Sequence, residues 1–224
     1  MTADAAGPAE SSVMEQRAVE RSLRTARERA RERLERIILA AYDLIGETGG
    51  TDFTLQDVAA RAGVSLRTFY QYFDGRDDLL LAVFAHGVET TVPVIAAAVA
   101  RHRSPVRRLQ AFIETSFHLV FDEELPQSRP LTHYHLRLTQ TDPEALGRVL
   151  APRNEILLGI LRDGVTTGVF RKDIPLDQLA VMLAQTLLAM MHTNVLGTQL
   201  VGTRMEMSHI WRFCLAAVAA PTRA

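Results

Sequence analysis

From Leu34 onward the apolar residues of this chain recur at helical spacing. Leu34, Ile37, Ile38, Ala41, Tyr42 and Ile45 follow the i, i+3, i+4 rule, which predicts one buried helix face there, ended by Gly49-Gly50. Thr54 stands where the cap of a second helix, Leu55–Ala62, belongs. Gly63 marks a turn, and Ser65 can cap a third helix, predicted to reach Phe73. Asp74-Gly75 breaks that helix, and a long one is expected from near Asp77. Beyond Pro93 a series of helices is expected between breaks at Ser104-Pro105, Pro126–Pro130, Asp142-Pro143, Gly164–Asp173 and Gly197–Gly202. The segment Asp177–Leu196 is apolar nearly all round, the mark of a helix covered on several sides. No stretch alternates as strands do, so the expected fold is all-α.

Composition agrees with a packed helical chain and narrows its chemistry. The 224 residues are 47% apolar with 13 Gly and 9 Pro, enough for a sizeable core. Net charge is −1, which argues against a bulk polycation, but Arg17–Arg36 holds eight Arg against four Glu. Cys214 is the single cysteine, so no internal disulfide and no thiolate zinc cluster is expected. The first residues lack the apolar core of a signal peptide, and Leu179–Val195 is interrupted by Gln185, Thr186 and His192. A cytoplasmic protein without a membrane partner is expected.

The stretch "VAARAGVSLRTFYQYF", Val58–Phe73, crowds four aromatics into its last five residues. Phe69 and Phe73, four apart, can pack inward together, which leaves Tyr70 and Tyr72 toward the outside with Leu66, Arg67, Thr68 and Gln71. A phenol hydroxyl suits a phosphate oxygen, and Arg67, Thr68 and Gln71 can reach base edges. Two short helices, a glycine turn and a polar outer face form a helix-turn-helix.

Thr54, Asp57-Val58-Ala59, Ala62-Gly63-Val64-Ser65, Thr68-Phe69-Tyr70, Tyr72-Phe73, Arg76 and Leu79-Leu80 closely resemble the N-terminal domain of the TetR (tetracycline-repressor) family of regulators. The resemblance is specific over about residues 34–82 and architectural beyond. It implies that Thr54, Tyr70, Tyr72 and Arg76 meet phosphates, while Gln56, Leu66, Arg67, Thr68 and Gln71 face bases, with Ser65 at the start of the reading helix. Arg76 stands where the family usually has Lys, and Leu66 where a small or polar residue is commoner.

The expected organisation is therefore an extension with an Arg-rich arm over 1–30, a three-helix DNA-binding domain over 31–82, and a helical effector-binding and dimerisation domain over 83–224. Residues 1–16 read as a disordered tail. The Arg-rich stretch admits two readings, an arm on phosphates or the minor groove, and a helix whose Arg and Glu pair in solvent. The expected partners are double-stranded operator DNA, a second copy of the chain and an unidentified apolar or amphipathic effector. For the dimer, Asp177–Leu196 together with Ile156–Leu161 suggests a two-fold four-helix interface, the competing reading being that these helices are simply monomer core. Phe112, Phe117, His118, Phe121, His133, Tyr134, Met182 and Met190 are the candidate pocket residues, with plain core packing as the alternative for each of them. His133 and His135 point about 200° apart on a helix, so no metal is expected, and no cofactor either. No nucleophile elbow, phosphate loop or His-Glu metal pattern occurs, so the chain does not read as an enzyme.

Overall fold

The computed structural model describes the backbone of residues 8–121, 126–198 and 205–221, and within them the side chains from Arg17 onward except those of Ala18 and Phe121. Nine helices run through these residues in the order α1 (Pro8–Thr48), α2 (Leu55–Ala62), α3 (Leu66–Phe69), α4 (Arg76–Ala100), α5 (Pro105–Phe121), α6 (Ser128–Thr141), α7 (Pro143–Thr166), α8 (Leu176–Leu196) and α9 (Met207–Val218). The all-α expectation holds. The one β feature among them is an isolated antiparallel bridge between Phe170 and Ala219.

Local signals set the first three helices. Ile37, Ala40, Ala41 and Ile45 form the buried stripe of α1, which ends at Gly49 with φ 66°. At α2 the Thr54 hydroxyl accepts from the Asp57 N–H, and the Asp57 carboxylate accepts from the Thr54 N–H at 2.8 Å, a complete capping box. Gly63 closes α2 in the left-handed region at φ 65°, where a side chain would be strained. Arg61 donates both terminal nitrogens to Glu47 and so ties α2 to α1. Ser65 then caps α3 by accepting from the Thr68 N–H at 3.0 Å.

Three expectations change. The α3 helix is shorter than predicted. It stops at Phe69, and the chain reaches Phe73 through the tighter bonds Gln71 N–H to Thr68 O and Tyr72 N–H to Phe69 O. The predicted tail over 1–16 is helical from Pro8, with residues 1–7 outside the described part. Proline at the first helical position and a run rich in Ala, Arg and Glu favour that start, and α1 crosses the 30/31 boundary unbroken. The third change concerns α7 and α8. Leu157, Ile160 and Leu161 are at most 1% exposed within one chain, so this face of α7 is monomer core and not available to a partner. On α8 only Leu179, Leu183, Leu187 and Met191 are buried, while Val181 and Met182 are exposed.

Two apolar cores share the long helix α4. Its first half sends Leu79, Leu80, Val83 and Phe84 into a head core with Ile37, Val58, Phe69 and Phe73, which Tyr134 and Leu138 of α6 also join. Its second half sends Ile95 and Val99 into a core built by α5, α7, α8 and α9. Helices α4 and α8 are long and apolar enough to cross a bilayer by length and composition, and here each supplies a row of core residues. At the far end Phe170 lies against Gly164, where any Cβ would fall 1.9 Å from its ring. The Arg171 N–H to Val218 O bond of 2.8 Å fastens the C-terminal helix beside it.

Candidate nucleic-acid interface and effector cavity

Phe69 is fully buried, with its ring 5.4 Å from Phe73 and edge-on to Tyr70 at 5.5 Å. The two Phe anchor the short reading segment, and Tyr70 is left 54% exposed. Around it Gln56, Ser65, Arg67 and Gln71 are also exposed. The structure thus brings the predicted DNA-facing residues to one end of the head, but it divides them into two kinds.

Some are already engaged within the protein. Thr54 spends its hydroxyl on the capping box, donating to Asp57 at 2.7 Å, and the Ser65 and Thr68 hydroxyls lie 2.9 Å apart. Leu66 and Tyr72 are half-buried and pack on the head core. Arg76 donates one nitrogen to the Phe53 carbonyl at 2.5 Å and stacks over the Phe53 ring at 5.1 Å. The Arg76 guanidinium therefore braces the start of α4 against the loop before α2. Replacing Arg76 by Ala should lower head stability by about 1.5 kcal/mol, read as a shift in the denaturation midpoint. The side chains of Gln56, Arg67, Tyr70 and Gln71, in contrast, make no hydrogen bond among the described residues. They are the donors and acceptors free to meet a duplex.

The predicted pocket is placed differently. A cavity of about 280 Å³ lies where α1, α4, α5, α6, α7 and α8 converge. Its apolar wall includes Phe84 and Val88 of α4, Leu131 of α6, and Leu188 and Met191 of α8. Its polar groups come from Ser116, Gln127, Thr132, His135, Arg153 and His192. Of the eight candidates named from the sequence, none whose side chain is described lines it; the Phe121 side chain lies outside the described part. Phe112 and Phe117 are core, each 1% exposed. Phe112 also lines a crevice of about 40 Å³ on another side of Arg153. Tyr134 is buried against Phe84 in the head core, His118, His133 and Met182 are exposed, and Met190 packs on the second core.

Burial dominates the electrostatics of the cavity. It pulls the His135 imidazole pKa down to about 4, with lesser contributions from His192 and Arg153, so His135 is neutral at pH 7. His192 is lowered by the same cause, and its ring meets His135 edge-on at 4.7 Å. Burial also lowers the Arg153 guanidinium to about 10. Cys214 is buried and its thiol raised to about 11, so it is an unreactive core group. No cluster of three or more potential metal ligands occurs among the described residues.

A three-helix head with a capped glycine turn and an outward polar segment defines a helix-turn-helix protein. Residues 37–83 match the family of bacterial regulatory proteins, tetR family. The BetI regulator of Brucella anthropi is 31% identical over 121 residues, 54% of this chain and 62% of that protein. The chain thus aligns with less than two thirds of that relative's length. A fatty acid metabolism regulator of Bacillus subtilis is 23% identical over 73% of this chain and 84% of its own. Among solved structures, FadR of Bacillus subtilis in complex with stearoyl-CoA covers 81% of this chain and 95% of its own, at 22% identity and a TM-score of 0.65, a likeness of fold. Residues 37–83 therefore make up a tetR-family regulatory domain.

Proposed function

We propose that the protein is a ligand-responsive repressor that binds a palindromic operator as a homodimer and responds to an apolar or amphipathic small molecule. The observation that carries the DNA reading is the set of free polar side chains, Arg67, Tyr70 and Gln71, on the segment that Phe69 and Phe73 anchor. Replacing Arg67 by Ala should change sequence preference by about 1–3 kcal/mol at the contacted base pair, read by binding to a set of operator variants. Uniform weakening across all variants would assign Arg67 to the backbone instead.

Self-association rests on exposed apolar side chains of neighbouring helices. Val181 and Met182 on α8 and Phe213 on α9 are each more than half exposed. Two copies packed through α8 and α9 would cover them in a four-helix arrangement, with α9 in the place first expected of α7. Phe213→Asp should give one-chain mass by light scattering at micromolar concentration and weaken operator binding. A two-chain mass in that variant would place the contact elsewhere.

The effector reading rests on where the cavity sits. Tyr42 of α1 and Phe84, Gly87 and Val88 of α4 line it, and both helices belong to the head. A ligand that fits one setting of α4 better than another shifts the spacing of the two reading segments. The structural relative from Bacillus subtilis, crystallised with stearoyl-CoA, supports an apolar element in the effector.

A further inference from the structure

The cavity lining contains a cation with no counter-ion among the described residues. Arg153 stands on α7 between Leu150 and Leu157, over the Phe112 ring at 5.6 Å, and among the described residues its side chain donates to the Met191 sulfur at 3.6 Å. Seven ion pairs occur among the described residues, and none includes Arg153. A half-buried guanidinium without a carboxylate beside it is costly unless something else supplies the negative charge. Three further polar atoms on the same lining lack a hydrogen-bond partner among the described residues: Ser116 Oγ, Gln127 Oε1 and His135 Nε2. Buried polar atoms of this kind are rare in a finished core. Here they cluster around one space.

We infer that the effector is a small amphipathic acid whose anionic head group is bound by Arg153, with Ser116 and His135 completing its hydrogen bonds and its apolar body lying along Phe84, Val88, Leu131 and Met191. This rests on the ligand-responsive reading above and specifies its chemistry. An anion would gain charge-assisted, two-pronged hydrogen bonds from the guanidinium. His135 and His192, both neutral at pH 7, offer N–H groups without adding charge. A cationic effector is disfavoured by Arg153. Gln127 Oε1 accepts only, so it is left for a water or for a hydroxyl on the ligand. Gly46 of α1 keeps room for Gln127, since a Cβ there would lie 2.4 Å from Gln127 Nε2. The volume of about 280 Å³ is at the lower limit of small-molecule pockets, which favours a compact acid over a bulky conjugate.

The test is calorimetric titration of the full-length protein, without DNA, using four probes with the same eight-carbon chain: octanoate, octyl phosphate, octanamide and octylamine. Octanoate, octyl phosphate or both should bind at least about tenfold more tightly than octanamide, and octylamine most weakly. The stronger of the two anions tells a carboxylate site from a phosphate site. Arg153→Met, which keeps the apolar stem, should remove the preference for the anion, while Arg153→Lys should retain most of it. Melting curves check that both variants fold; if Arg153→Met does not, the probe order on the unaltered protein and on Arg153→Lys still decides. Equal binding of octanoate and octanamide overturns the inference, as does tighter binding of octylamine or failure of every probe to bind at about 10 mM, well above the weak millimolar range. A separate titration with operator DNA keeps the two proposals apart. Anion selectivity without release of DNA leaves the acid site standing and removes its regulatory role.

Discussion

Replacing Phe69 by Ala should unfold the reading head and abolish DNA binding. Phe69 is fully buried in a core it shares with Ile37, Val58, Phe73, Leu79 and Leu80. Truncating a core Phe costs about 3–5 kcal/mol, from lost burial and from the cavity left behind. That is a large share of the roughly 5–15 kcal/mol that holds a whole domain together. The loss falls on a four-residue helix with little else to anchor it. Denaturant titration followed by circular dichroism should show a lower midpoint or an early partial transition. Tyr70→Ala is the contrast. Its ring is mostly in solvent, so stability should change by no more than about 0.5 kcal/mol while DNA affinity falls. Equal stability of the Phe69→Ala and unaltered proteins would mean that the Phe69–Phe73 pair does not hold the head.

Acid should destabilise the protein through His135. This imidazole is 5% exposed, lies 5.4 Å from the Phe84 ring and meets His192 edge-on. Its folded pKa is near 4 against an ordinary 6.5. Between those values the unfolded chain holds the proton and the folded chain does not, so stability rises with pH across the window and is lost as pH falls from about 6.5 to 4. Above pH 7 this group contributes no slope. The full effect is about 3 kcal/mol, at 1.36 kcal/mol per pKa unit. The lowered His192 acts in the same direction. Carboxylates also titrate in this range, so the informative quantity is the difference between the unaltered protein and His135→Asn. The variant should have a flatter acid limb. Identical limbs would place the imidazole in solvent.

The head was legible from the sequence because its signals are local. Thr54 and Asp57, Gly63, Ser65 and the Phe69/Phe73 spacing each specify geometry within a few residues. The end of α3 was not, since the choice between a continuing helix and a tighter turn over Tyr70–Phe73 depends on packing. The helical state of Pro8–Gln16 was also missed. Its Pro, Ser and acid content read as tail, and without an apolar face it carried no tertiary cue.

The lining of the cavity was not legible, for the opposite reason. It gathers residues from Tyr42 to His192, contributed by six helices, and no periodicity records which rows meet around a void and which meet around one another. Phe112 and Phe117 have the composition of a pocket wall and are core. Arg153 carried a usable signal, a lone cation on the otherwise apolar face of Ile156–Leu161. So did His135, which was weighed only against His133 as a metal ligand while its actual neighbour, His192, lies two helices on. The outward side of α8 was hidden by its uniform apolarity. A buried stripe every fourth residue and exposed Val181 and Met182 are indistinguishable from a fully covered helix until the neighbours are placed.

The central claim is that Arg67, Tyr70 and Gln71 are presented to a duplex by two copies of this head. The most direct measurement is a nuclease footprint of the purified protein on genomic fragments it retains at low salt. The account predicts protection of a palindrome whose half-sites are centred about one helical turn apart, or slightly more, and loss of that protection in the Arg67→Ala/Gln71→Ala protein. Failure to retain or protect any fragment at low salt without added ligand, or a footprint unchanged by the double substitution, would contradict it.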